Sequence, residues 1–99
     1  PADIVYEDDK CLAFRDIHPV APVHVLLIPK IVIPKLSDAE VQQQALLGYL
    51  LLQAPKVANI LGLDDTFRLV VNNGAGAGQT VFHLHLHIIG GRDVHWPPG

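Results

Sequence analysis

The 99-residue chain is long enough for one small domain and too short for two, so a single domain over residues 1–99 is expected. At 49% hydrophobic and 17% charged it has a folded composition on the apolar side for its length, and part of that apolar surface is expected to meet another subunit. A formal charge of −3, from seven basic and ten acidic residues with no basic run, argues against a general binder of nucleic-acid backbone; a small phosphorylated ligand held by a few directed donors stays open.

The single Cys11 has no internal disulfide partner and suits a reducing compartment. With no signal peptide and no run long enough to span a bilayer, a cytoplasmic protein is expected, the nucleus also being open to so small a chain. The chain begins at Pro1-Ala2 in what reads as the approach to a strand, so a natural N-terminal segment is expected to be missing.

Apolar and aromatic side chains at Asp3 to Glu7 and Lys10 to Arg15, around the turn-like Asp8-Asp9, predict a hairpin. After the proline-broken stretch His18 to Pro22, a third strand is expected at Val23 to Ile28, ended by Pro29. Ser37-Asp38-Ala39-Glu40 fits a capping box opening a helix with Val41, Leu47, Leu51 and Leu61 on related turns and Gly62 as its C-terminal cap. Pro55 inside that span is expected to kink or split it. Leucines around most of its circumference call for a sheet on one side and a partner chain on the other.

Phe67 to Val71 reads as a fourth strand, Asn72 to Gln79 as a loop with glycines at 74, 76 and 78, and Val81 to Ile89 as a fifth strand. A tail ends in Trp96-Pro97-Pro98-Gly99, and the indole argues that it docks.

The fifth strand carries the chemistry. Successive side chains of a strand point to opposite faces, so Phe82, Leu84, Leu86 and Ile88 are expected to bury against the helix while His83, His85 and His87 share the other face. Three readings compete. Alternating imidazoles suit a metal, with His24 as a further ligand. They also suit a structural network in which each ring donates to a backbone carbonyl. The third reading is nucleophilic catalysis on phosphorus, and the adjoining loop favours it, because Gly74, Gly76 and Gly78 permit a backbone that turns N–H groups toward an anion, with Gln79 and Thr80 as added donors.

The run His83-Leu84-His85-Leu86-His87-Ile88-Ile89 resembles the histidine triad family, whose signature is His-φ-His-φ-His-φ-φ with φ hydrophobic. Tyr6 to Phe14, Asp16-Ile17, Ala21-Pro22 before His24, Ile28-Pro29-Lys30, and Gly91-Arg92 through the closing tail are similar to the histidine triad nucleotide-binding branch, once called protein kinase C inhibitors or zinc-binding proteins. That resemblance implies an α+β fold with a five-stranded antiparallel sheet and one major helix, and a homodimer whose sheets join into a ten-stranded one.

It also implies a hydrolase of purine nucleoside phosphoramidates and aminoacyl-adenylates. His85 would attack the α-phosphorus, and His87 would donate to the phosphate and assist the leaving group. His24 and His83 would set tautomer and orientation. Asn72, Gly78, Gln79 and Thr80 would hold the phosphate end, Asp16 would accept the ribose hydroxyls, Phe14, Ile17 and Leu26 would form the purine slot, and Trp96 would be a further substrate-binding residue. No metal or other cofactor is implied. The alternatives are a dinucleoside polyphosphate hydrolase and a nucleotide-binding interaction protein with vestigial catalysis. Departures from the family pattern are the absent N-terminal segment, His18, Asn73 and Pro55.

Overall fold

The structure, a computed structural model, describes residues 3–99; the expected strand approach at Pro1 and Ala2 lies outside the described residues. Five strands, β1 (Ile4–Glu7), β2 (Cys11–Arg15), β3 (Val23–Pro29), β4 (Arg68–Val70) and β5 (Leu86–Gly90), accompany one long helix, α1 (Gln44–Ile60). The strands form one antiparallel sheet in the order β1-β2-β3-β5-β4. This is an α+β fold with a five-stranded antiparallel sheet and one major helix. Among the described residues no helix is long and apolar enough to cross a membrane.

Asp8 makes the first turn. Its Oδ1 accepts from the N–H groups of Lys10 at 2.8 Å and Cys11 at 2.9 Å, while Oδ2 accepts from Tyr6 at 2.8 Å and from the Tyr49 hydroxyl on α1. The hairpin is thereby pinned to the helix. Partial burial alone would raise the Asp8 pKa, but hydrogen bonds from Tyr49, Lys10, Tyr6 and Cys11 outweigh it and hold the carboxyl well below the usual range. The neighbouring Cys11 thiol is pushed up to about 12, by burial first and then by Asp8, so it is an inert core group.

One sheet face presents Cys11, Ala13, Val25, Leu27, Leu86 and Ile88 to Leu50, Ala54, Val57 and Ala58 of α1, and these form the core. The expected helical stripe is met in part, Leu47 and Leu61 packing against this core while Val41 and Leu51 do not. Val41 is 82% exposed and Leu51 55%, because the α-helix starts only at Gln44 and turns Leu50 and Val57 inward instead. The capping box also falls later than expected. Glu40 and Gln43 form it, with the Glu40 N–H donating to Gln43 Oε1 at 2.9 Å, whereas the Ser37 N–H donates to Asn73 Oδ1 at 2.8 Å.

Pro55 does not split the helix, which runs unbroken from Gln44 to Ile60. Both Pro55 and Leu51 lie on the exposed side, where the Leu51 carbonyl left without a helical donor can be hydrated. The expected glycine cap is present. Gly62 takes φ +78, its N–H donates to Asn59 O at 3.1 Å, and the Leu63 N–H donates to Ala58 O at 3.0 Å, the bonding pattern of a Schellman motif.

The fifth strand is shorter than expected, beginning at Leu86 and not at Val81. Leu84 still faces the core and its N–H donates to Ile33 O at 2.6 Å, so the chain approaches the sheet through a loop contact before pairing with it. Phe82 precedes that anchor and is 49% exposed, contrary to its expected place among the buried leucines. Pro29 is the last residue of β3 and not the residue after it.

Candidate active site

The sheet face turned away from α1 carries the histidines. Register places Phe14 of β2 opposite Leu26 of β3, and Leu26 opposite His87 of β5, so the three lie in a row across the sheet. His83 and His85 stand just before β5. Their position is fixed by the His83 ring, whose Nε2–H donates to the Pro29 carbonyl at 2.7 Å. The row borders a cavity of about 600 Å³ lined by Phe14, Asp16, Ile17, Leu26, Thr80, His83, His85 and His87, with Arg15, His18, Ile28 and Val81.

Hydrogen-bond directions settle where the ring protons sit. A carbonyl only accepts, so the 2.8 Å contact from His85 Nδ1 to the His83 carbonyl puts the proton of a neutral His85 on Nδ1 and leaves the lone pair on Nε2. A backbone N–H only donates, so the 3.1 Å bond from Val20 makes His24 Nδ1 an acceptor and puts the proton of a neutral His24 on Nε2. That Nε2–H donates to His87 Nδ1 at 2.8 Å. His87 then carries its own proton on Nε2, an inaccessible nitrogen with no hydrogen-bond partner. Burial, followed by neighbouring His85 and His24, lowers the His87 pKa from its ordinary value against a smaller opposing pull from Asp16.

Asp16 adds a carboxylate to this chain. Its Oδ1 accepts from the His18 N–H at 2.9 Å and its Oδ2 lies 3.3 Å from His24 Nε2. Asp16, His24 and His87 each offer a ligand atom within 4.8 Å of the others, which is the grouping a small cation would use. The Val20 bond opposes that use. A neutral imidazole ligating through Nε2 needs its proton on Nδ1, where the Val20 N–H already points, so ion binding here would break the bond that positions His24.

His24 does not line the cavity; it is 6% exposed and stands behind His87. Asn72, Gly78, Gln79 and Trp96 are also absent from the cavity wall. The glycine loop folds on itself. Gly74 and Gly78 take φ +92 and +97 around a turn in which the Ala77, Gly78 and Gln79 N–H groups donate to carbonyls of Gly74, Ala75 and Gly74. The buried Gln79 side chain accepts from the Gly74 N–H at 2.8 Å and donates to Pro34 O and Val81 O. These amides, expected to face an anion, close the loop instead, and Asn72 packs beside Gly78. Trp96 is 83% exposed, so the indole does not dock within its own protomer.

Arg15, His18, Ile28 and Val81 are cavity residues the sequence reading did not place there. For Ile28 a signal existed, since it lies two residues beyond Leu26 on the same face of β3. For Arg15, Val81 and His18 the cavity wall depends on how loops fold around the sheet.

Fold and site together define an α+β protein with a linked histidine cluster on the open face of its sheet. A family model described as the HIT domain matches residues 1–94, and the chain belongs to that family. An uncharacterised HIT-like protein of Synechocystis sp. is 68% identical over 99 residues, covering all of this chain and 87% of that relative. A HIT family hydrolase from Legionella pneumophila superposes with a TM-score of 0.96 at 48% identity, covering 100% of this chain and 89% of that one. A histidine triad nucleotide-binding protein from Candida albicans gives 0.80 at 32% identity, covering 98% and 75%.

Proposed function

We propose that the protein is a hydrolase of purine nucleoside phosphoramidates and aminoacyl-adenylates, working through a nucleotidyl-His85 intermediate and belonging to the nucleotide-binding branch of its family. The observation that carries this reading is the proton arrangement of the cavity: His85 holds Nδ1–H on a backbone carbonyl and keeps the Nε2 lone pair, beside a His87 whose Nε2–H has no partner. A lone pair and an unpaired donor side by side suit attack on a phosphorus centre whose oxygens need a partner. The solved relative from L. pneumophila is a HIT family hydrolase, and the one from C. albicans is a histidine triad nucleotide-binding protein.

His85 Nε2 forms a bond to the α-phosphorus as the P–N bond of a phosphoramidate or the P–O bond of an aminoacyl-adenylate breaks, and the electron pair of that bond leaves on the amine nitrogen or on the aminoacyl carboxylate oxygen. His87 Nε2–H, covered in the free protein, is uncovered as the ligand enters, hydrogen-bonds the phosphoryl group and assists departure of the leaving group, an amine taking up one proton. Water then attacks phosphorus, the P–Nε2 bond breaks, the nucleoside monophosphate leaves and one proton returns to the site or solvent. The proton consumed in the first half is recovered in the second. Phe14, Ile17 and Leu26 supply the apolar end for a purine, Asp16 the acceptor for the sugar hydroxyls, and Thr80 a hydroxyl at the opposite end.

The proposed working unit is a homodimer, with Trp96 contributed to the partner's site. The test is turnover of an adenosine phosphoramidate with mass detection of an adenylylated peptide containing His85. His85→Ala is expected to lower kcat/KM by at least about 10⁴-fold while leaving the fold intact. Turnover by that variant equal to wild type removes His85 as nucleophile, and preferential cleavage of diadenosine polyphosphates reassigns the substrate class.

A further inference from the structure

The Nε2–H of His24 donates to His87 Nδ1 at 2.8 Å, and the carboxylate oxygen Asp16 Oδ2 lies 3.3 Å from the same nitrogen, close enough to draw on that proton as a second acceptor. One proton cannot serve both fully, so the two acceptors compete. Asp16 is held in place by the His18 N–H on Oδ1, leaving Oδ2 beside His24 on a residue that also lines the cavity. His24 cannot evade the competition by flipping, because Val20 holds its other nitrogen and the ring is buried.

We propose that Asp16 is a positioning residue that couples occupancy of the sugar end of the cavity to the hydrogen bond between His24 and His87, so that a vicinal diol on the ligand raises turnover as well as affinity. This inference rests on the hydrolase reading above. Hydroxyls donating to Oδ2 satisfy the carboxylate and release the His24 proton wholly to His87. A ring that accepts a stronger bond at Nδ1 becomes a better donor at Nε2, through the polarisation that runs along a hydrogen-bond chain. The bonds then run in one direction, from Val20 N–H through His24 and His87 to the phosphoryl oxygen. A contact at the sugar, remote from phosphorus, is thereby expressed in the chemical step.

The test compares adenosine 5′-phosphoramidate with its 2′,3′-dideoxy counterpart, on wild type and on Asp16→Asn, with kcat and KM measured separately. For wild type the dideoxy substrate is expected to show kcat lower by about tenfold in addition to a raised KM. In Asp16→Asn the ratio of the two kcat values is expected to fall to about one, the loss on the ribose substrate appearing in KM. Nitrogen-15 shifts of His24 Nε2 and His87 Nδ1 should move further with AMP than with its dideoxy analogue in wild type, a comparison that needs no variant to fold. Equal kcat for the two substrates in wild type, or a kcat gap that survives in Asp16→Asn, overturns the coupling while leaving the hydrolase reading intact. Absence of AMP binding and of turnover overturns both.

Discussion

His87 is the residue whose protonation the fold most clearly controls. Its pKa is lowered chiefly by burial, with His85 and His24 adding to the effect, so the ring is neutral in the free protein at neutral pH. The sign for stability follows. A histidine with a folded-state pKa below its unfolded value near 6.5 contributes stability that is present above that value and is lost as pH falls through the folded pKa, because the unfolded chain binds the proton more readily. An NMR titration should therefore place the His87 midpoint below 6.5, and His87→Gln should flatten the loss of stability on that acid limb. A His87 midpoint at or above the ordinary value would contradict the buried, neutral donor on which the proposed chemistry depends. Much of this site was legible in the alternation of His83, His85 and His87, since a period of two puts three imidazoles on one side of the chain. What the alternation could not show is that Val20 and Pro29, distant in sequence and without chemistry of their own, supply the backbone groups that assign the protons.

At the scale of elements, α1 carries a local conflict that packing overrides. A proline in a helix interior is about 3 kcal/mol less favourable than alanine, yet the assigned helix passes through Pro55 without interruption, because Leu50, Ala54, Val57 and Ala58 bury its inner side. Pro55→Ala restores a donor for the Leu51 carbonyl and is expected to raise stability by about 1–3 kcal/mol, less the entropy that proline removes from the unfolded chain. Thermal and urea unfolding check it, and a destabilised variant would mean that the ring makes contacts worth more than the missing hydrogen bond. On the opposite side Leu50, fully buried, should lose about 2–5 kcal/mol on conversion to Ala. The elements themselves were legible where local chemistry dictates them: the Asp8 turn, the Gly62 cap and the alternation of β3. The inward turn of Leu50 and Val57 and the start of β5 were not, because the Glu40–Gln43 box caps a short 3-10 turn at Val41–Gln43 that precedes α1, and the Leu84 contact with Ile33 holds the chain off the sheet until Leu86. Tertiary contacts of that kind leave no periodic trace in a sequence.

At the scale of the molecule, the outer side of α1 bears on the proposed dimer. A monomer of 10.8 kDa is expected to expose about 5,500 Å². This protomer exposes 6094 Å², with the tail at 91–99 almost wholly exposed. Gly48, Leu51, Leu52 and Pro55 lie at helical spacing on the solvent side, carry no charge, and leave room at Gly48 for the close approach of another backbone. The short strand β4 ends the sheet, and the proposed ten-stranded sheet would join two copies at that edge. Leu52, 73% exposed, faces directly away from the core, so Leu52→Glu should leave the protomer's packing untouched while placing paired charges in the interface. Sedimentation equilibrium at micromolar concentration is expected to give the mass of two chains for wild type and one for Leu52→Glu. Because the proposed site borrows Trp96 from the partner, the same variant should raise KM in step with dissociation and recover activity as protein concentration increases. A wild type that sediments as one chain with full turnover would mean that each protomer's histidine cluster works alone and that the exposed Trp96 belongs to some other contact.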